Sequence, residues 1–214
     1  MPRSQRRASK RPGTARATYH HGDLRAQLID AGLERLDSSG DADLSLRDLA
    51  RRTGVVPNAV YRHFANKEAL LAALAAAGFR SLFEAQERAV TKASPASGAE
   101  ALRVAGSTYV AFGKGRPALF RLMFGRFAAT HRNADLMDAY QASVEGLEFF
   151  VRAALGEADE ALVARSATTA WALVHGLTVL ALDGQLDERA PTSEVIDAIL
   201  AFATCLLVPD EPDA

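Results

Sequence analysis

One cysteine, one tryptophan and three methionines are all that this 214-residue chain holds of those types. The single thiol, Cys205, cannot close an internal disulfide, and it falls in an apolar run near the C-terminal end, where an inert buried thiol is expected. Long apolar runs are also missing. The longest, 69–79 and 171–182, are shorter than the roughly 20 residues that cross a bilayer, and the second carries His175. No apolar signal core occurs in the first twenty residues, so a cytoplasmic protein without a membrane partner is expected. Sustained period-two alternation, the mark of half-buried strands, is absent, whereas alanine and leucine are abundant. The expected class is all-α.

The residues of catalysis and metal binding are equally thin. The chain has no G-x-S-x-G, no cysteine in a nucleophile setting and no glycine-rich phosphate cradle. Of its five histidines, His20 and His21 are adjacent and cannot easily share a tetrahedral ion, and His63, His131 and His175 have no partner three or four residues away. No catalytic residue, metal or cofactor is expected, and the chain is not read as an enzyme. With 49% of its residues hydrophobic it can bury a core as one large or two small domains.

A net charge of −1 looks unsuited to an acidic partner until it is divided along the chain. Residues 1–66 hold 12 of the 25 Lys and Arg and 7 of the 26 Asp and Glu, a balance of +5; the remainder holds 13 and 19, a balance of −6. Arg3, Arg6, Arg7, Lys10, Arg11 and Arg16 occur among Pro, Gly, Ser and Thr with no acid before Asp23. Residues 1–19 are therefore expected to form a basic, disordered arm, either a solubilising tail or a segment that tracks phosphates or enters a minor groove.

The most informative segment is 45–64, Ser-Leu-Arg-Asp-Leu-Ala-Arg-Arg-Thr-Gly-Val-Val-Pro-Asn-Ala-Val-Tyr-Arg-His-Phe. Ser45 and Asp48 have capping-box spacing, so a helix should start at Leu46 and bury Leu46, Leu49 and Ala50. Gly54 suits a turn at positive φ, and Pro57 suits the first turn of a second helix reaching about His63. On that helix Val60 and Phe64 point inward, and Asn58, Tyr61 and Arg62 are left outside. A polar outer face on so short a helix has no packing reason, but it fits a recognition helix laid in the major groove of DNA.

The run Gly54 to Phe64, continued by Asn66-Lys67-Glu68-Ala69-Leu70-Leu71, resembles the signature of TetR-family transcriptional regulators. The resemblance extends to Tyr19-His20-His21-Gly22-Asp23-Leu24-Arg25 upstream. Downstream, Trp171-Ala172-Leu173-Val174-His175-Gly176 resembles the subgroup with a Trp-His-Gly type C-terminal domain. Val56 departs from the pattern, since the family usually caps the recognition helix with serine or threonine; such a cap is worth about 0.5–2 kcal/mol, so packing, or DNA itself, is expected to hold the helix start. The resemblance implies a helix-turn-helix domain over 20–68 and a ligand-binding and dimerisation domain over 69–214, about nine helices in all. Arg47, Asn58 and Tyr61, polar groups on outer faces, are the candidates for base edges, and Ser45, His63 and Lys67, at or beside helix N-termini, for phosphates; Val56, Pro57 and Arg62 complete the expected DNA contact, and the resemblance puts His63 on the phosphate side.

Beyond the helix-turn-helix, a first helix is expected from Asp23 to Leu36 and a long one from Lys67 to about Val90, capped by Asn66. Further helices are expected near 99–113, 117–124, 134–155, 159–186 and 192–208. The last two are apolar nearly all round. Val195, Ile199, Phe202 and Leu206 adjoin a second stripe of Ile196, Leu200, Ala203 and Leu207, so one side should face the domain and the other a second copy. The family resemblance also puts the homodimer contact there.

Phe112, Phe120, Met123, Phe124, Phe127, Met137, Tyr140, Phe149, Phe150 and Trp171 gather the large side chains of the second domain. Singly each is core by default. Together with the family resemblance they point to an apolar effector cavity lined by Phe112, Phe120, Phe124, Phe127, Tyr140, Trp171 and His175. His175 either orients a ligand there or is bonded within the core. The expected protein is a repressor released from a palindromic double-stranded operator by a small apolar effector; the alternative is a DNA-binding regulator with no effector.

Overall fold

The computed structural model describes residues 24–39, 44–125, 133–186, 194 and 197–201. The basic arm, Phe127, Cys205, Val195, Ile196 and the residues from Phe202 onward lie outside the described residues. Every regular element among the described residues is a helix: α1 (Leu24–Ser39), α2 (Leu46–Thr53), α3 (Pro57–Tyr61), α4 (Lys67–Ala93), α5 (Gly98–Gly115), α6 (Pro117–Phe124), α7 (Ala134–Leu155) and α8 (Glu160–Leu182). Residues 197–201 are also helical.

Local chemistry sets most of these boundaries. Ser45, Asn66, Ser97, Asn133 and Asp159 each sit in extended conformation before a helix and accept a hydrogen bond from the backbone N–H three residues on, at 2.7–3.2 Å. Each bond satisfies one of the orphan donors at a helix start. Proline opens α3 and α6 instead, where its missing N–H costs nothing. The expectation of a helix over 159–186 overshoots, because the chain leaves α8 at Asp183 and turns at Gly184 with φ +69°.

One apolar core runs through both expected domains. It joins Leu28 and Leu36 of α1, Leu46 and Leu49 of α2, Val60 and Phe64, and the buried face of α4 to Tyr109, Leu119, Phe120, Leu177 and Leu200. α4 is continuous across 68 and 69, and from Leu70 to Ala76 every residue is buried. At Gly78 it passes so close to α6 that a Cβ would come within 2.6 Å of the Met123 sulfur. A second, distal cluster holds Leu102, Ala105, Phe150, Val151, Val163, Ala167 and Ala170.

α1 lies against α2, α4 and α6. Near its N-terminus Arg25 reaches Asp135 at the start of α7 (3.4 Å), a carboxylate that also pairs with Arg80 of α4. Near its C-terminus Asp37 pairs with Arg116, between α5 and α6, at 2.8 Å.

Candidate nucleic-acid interface and internal cavity

The segment 45–64 folds as two short helices joined by a glycine turn. Ser45 accepts from the Asp48 N–H at 3.0 Å, which is half of a capping box. The Asp48 carboxylate turns instead to Arg51 and lies 4.0 Å from Arg35 of α1. Gly54 takes φ +69°, and the Val55 N–H bonds the Ala50 carbonyl at 3.0 Å, closing α2 with a Schellman-type turn. Nothing lies within 4 Å of a Cβ built on Gly54, so its backbone angle alone calls for glycine there.

α3 begins at Pro57 with no side-chain cap from Val56 and ends at Tyr61, earlier than expected; His63 and Phe64 close onto the Val60 carbonyl at 2.9 and 3.0 Å. Val60 and Phe64 are buried. Asn58, Arg62 and His63 are exposed, as are Tyr61 (45%) and Val56 (66%). Arg47, on the outer side of α2, and Pro57 are exposed too, and Lys67 in the first turn of α4 is half-buried. The solvent-exposed side chains of the two short helices and the turn after them thus include guanidinium groups, an amide, a phenol and an imidazole, and Ser45 is exposed at the start of α2. These groups can donate to phosphates and to base edges.

A partly open cavity of about 260 Å³ lies between the two apolar clusters. Its wall takes Phe79, Leu82 and Gln86 from α4, Tyr109 from α5, Phe124 from α6, Tyr140 and Ser143 from α7 and Trp171 from α8. Tyr109 and Phe124 of the wall pack with Phe120 and His175 behind it in a compact ring cluster. His175 stacks on Phe120 with centroids 5.4 Å apart and meets Phe124 edge-on at 5.0 Å. The Tyr109 hydroxyl lies 2.9 Å from His175 Nδ1. Burial pushes the tyrosine pKa well above its ordinary value, an effect the Trp171 side chain partly offsets, and burial lowers that of His175. Burial thus favours the neutral forms of both groups, a phenol and an imidazole that share one hydrogen bond.

Residues 28–74 match the N-terminal family model described as "Bacterial regulatory proteins, tetR family", and residues 102–203 match a "Tetracyclin repressor-like, C-terminal domain". The chain belongs to the tetR family of bacterial regulatory proteins. A structure of a protein of unknown function from Rhodococcus sp. RHA1 is 34% identical, with a TM-score of 0.75, covering 88% of this chain and 97% of that one. BioQ of Mycobacterium smegmatis is 25% identical at a TM-score of 0.61, covering 87% of this chain and 99% of that one. The HTH-type transcriptional regulator Rv1816 of Mycobacterium tuberculosis is 35% identical over 66 residues, 31% of this chain; the match spans only 28% of that regulator.

Within this tetR-family fold the expected cavity residues separate into layers. Phe124, Tyr140 and Trp171 line the cavity, whereas Phe112, Phe120 and His175 do not. Phe112 packs against the core with the Arg116 guanidinium 5.9 Å from its ring centroid. Phe120 is fully buried behind the wall, and His175 is held there by Tyr109. Sequence reasoning missed Phe79, Gln86, Arg103, Tyr109 and Glu148. A signal existed for Gln86, a polar residue on the apolar side of α4, but the α5 and α7 residues had none.

Proposed function

We propose that the chain is a homodimeric, ligand-responsive transcriptional repressor that reads DNA with α2 and α3. The supporting observation is the outward face of α3. Tyr61 and Asn58 stand in solvent on a helix whose only buried residue is Val60, with exposed Arg62 just after it, so packing does not account for them. Residues 20–68 are the reading domain and 69–214 the sensing and dimerising one. Arg47, Asn58 and Tyr61 reach base edges; Ser45, His63 and Lys67 meet phosphates; Val56, Pro57 and Arg62 complete the contact surface.

α8 and the helical segment after it form the dimer contact. On α8, Leu162, Val179 and Leu180 are more than a third exposed, and Ala161 and Ala172 are exposed beside them. An apolar strip of this kind calls for cover. A two-fold dimer sets the spacing of two α3 helices in successive major grooves. The Trp171-His175-Gly176 motif serves the sensor, with Trp171 in the cavity wall and His175 behind it. Among the described residues no helix is long and apolar enough to cross a membrane, and the protein works in the cytoplasm without catalysing a reaction.

The cavity favours effector control over a regulator without an effector, because a constitutive protein has no need of a void between its two apolar clusters. Effector binding favours a dimer whose α3 separation no longer fits the operator, and it does so by binding that state more tightly. Selection of random duplexes on the purified protein tests the reading: an enriched palindrome is expected, and recovery of no preferred sequence refutes it.

A further inference from the structure

We infer that the cavity takes an elongated, uncharged molecule with a flat apolar body at the end nearest the helix-turn-helix and, at the far end, a head bearing both a hydrogen-bond donor and an acceptor. This rests on the effector reading above. The cavity runs lengthwise between α4, α5, α7 and α8, and from Phe79 to Gln86 along α4 it spans roughly 10 Å at a rise of about 1.5 Å per residue.

Its two ends differ in chemistry. At the near end Phe79, Tyr109, Phe124, Tyr140 and Trp171 present rings. Phe79 meets Phe124 and Tyr140 edge-on, with centroids 5.1 and 5.6 Å apart, a set of crossed rings against which a flat apolar guest can pack edge-to-face or offset. The Tyr109 hydroxyl is already taken up by His175. Midway the wall is built of Ala105, Gly106, Ala167 and Ala170, small residues that leave room for a narrow chain.

The far end is polar. Gln86 Nε2 donates to the Ala105 carbonyl at 3.1 Å, which fixes the amide's orientation and turns its oxygen into the acceptor offered to a guest. Arg103 lines the same end, with its nearest carboxylate, Glu100, 4.0 Å away, and keeps N–H donors for a guest's acceptor. Glu148 lines the wall from α7. A carboxylate head would gain Arg103 but face Glu148, and an ammonium head would meet the reverse. A neutral, amide-like head suits both. At about 260 Å³ the cavity holds a ring with a short chain rather than a drug-sized guest, whose pockets start near 300 Å³.

The test uses the full chain and three probes of one shape: 4-phenylbutanamide, 4-phenylbutanoate and butylbenzene, followed by calorimetry and thermal shift. The amide should bind at least tenfold more tightly than either of the others. Gln86→Met should bring amide affinity down to that of butylbenzene while leaving butylbenzene affinity in place, and Arg103→Met should act in the same direction. Binding of butylbenzene without preference for the amide overturns the assigned head but leaves the effector cavity standing. Silence from all three probes overturns both. An amide preference that persists in folded Gln86→Met refutes the role given to Gln86.

Discussion

Arg116 and Asp37 tie the sensing end of the molecule to α1. The guanidinium sets Nη2 2.8 Å from Oδ2 and Nε 3.2 and 3.1 Å from the two carboxylate oxygens. Arg116 opens α6, the helix that carries Phe124 into the cavity wall, and Asp37 lies in the last turn of α1. Asp135 holds the other end of α1 through Arg25. On the proposed reading, these two ion pairs are the contacts through which a shift of α6 or α7 would reach α1 and the helix-turn-helix packed on it.

Breaking this tie should separate coupling from stability. Both side chains are partly solvated, so Asp37→Asn should cost about 1 kcal/mol or less. Operator affinity without ligand should stay within a few-fold, while the ligand-induced change in affinity falls. A double-mutant cycle of Asp37→Asn with Arg116→Gln, read in the presence and absence of 4-phenylbutanamide, checks it. Full coupling in both single variants contradicts the assignment.

Val56 leaves α3 without a side-chain cap although its φ of −70° and ψ of 143° suit one. Val56→Ser should add a bond to an orphan N–H and stabilise by about 0.5–1 kcal/mol, a rise of roughly 1–4 °C in Tm for a chain of this size. Differential scanning calorimetry measures it, and an unchanged or lower Tm argues against the cap geometry.

At the DNA surface the two kinds of contact should respond differently. Arg47→Ala, Asn58→Ala and Tyr61→Ala should each cut the preference for the selected operator over random duplex about tenfold, in line with about 1–3 kcal/mol per good base contact. Ser45→Ala, His63→Ala and Lys67→Ala should weaken both duplexes alike, and the loss of a phosphate contact in Lys67→Ala should make the salt dependence shallower by about 0.9 in log K per log salt. An unaltered slope in the folded Lys67 variant rules out that contact.

His175 gives the protein a pH dependence of known sign. Its folded pKa is lowered by burial from the ordinary value of 6.5, so below 6.5 the unfolded chain takes up more protons than the folded one. Stability should therefore be lost as pH falls from 6.5 toward the folded pKa, with no contribution from this residue above that window. The Tm of His175→Gln should fall less steeply than wild type between pH 7 and 5. Parallel curves contradict a partly buried imidazole whose pKa is lowered on folding.

What could be read from the sequence was local. The stretches 117–124 and 134–155 fold as expected because Pro117, Asn133 and Gly156 mark their ends in the chain itself. The inward Val60 and Phe64 followed from spacing on one short helix. The cavity was harder to read because five helices, α4 to α8, share its wall. Bulky aromatics drew attention to Phe112 and Phe120, which fill the core, while the space comes from Ala105, Gly106, Ala167 and Ala170, residues too ordinary to stand out.

Hydroxyl-radical footprinting on the selected duplex tests the central claim, two-fold reading of DNA by α2 and α3, most directly. Two symmetric protected patches centred one helical turn apart, about 10 base pairs, or a whole multiple of it are expected, both lost in an Asn58→Ala, Tyr61→Ala double variant. A single asymmetric patch, or a symmetric footprint that survives in that variant, would contradict the account.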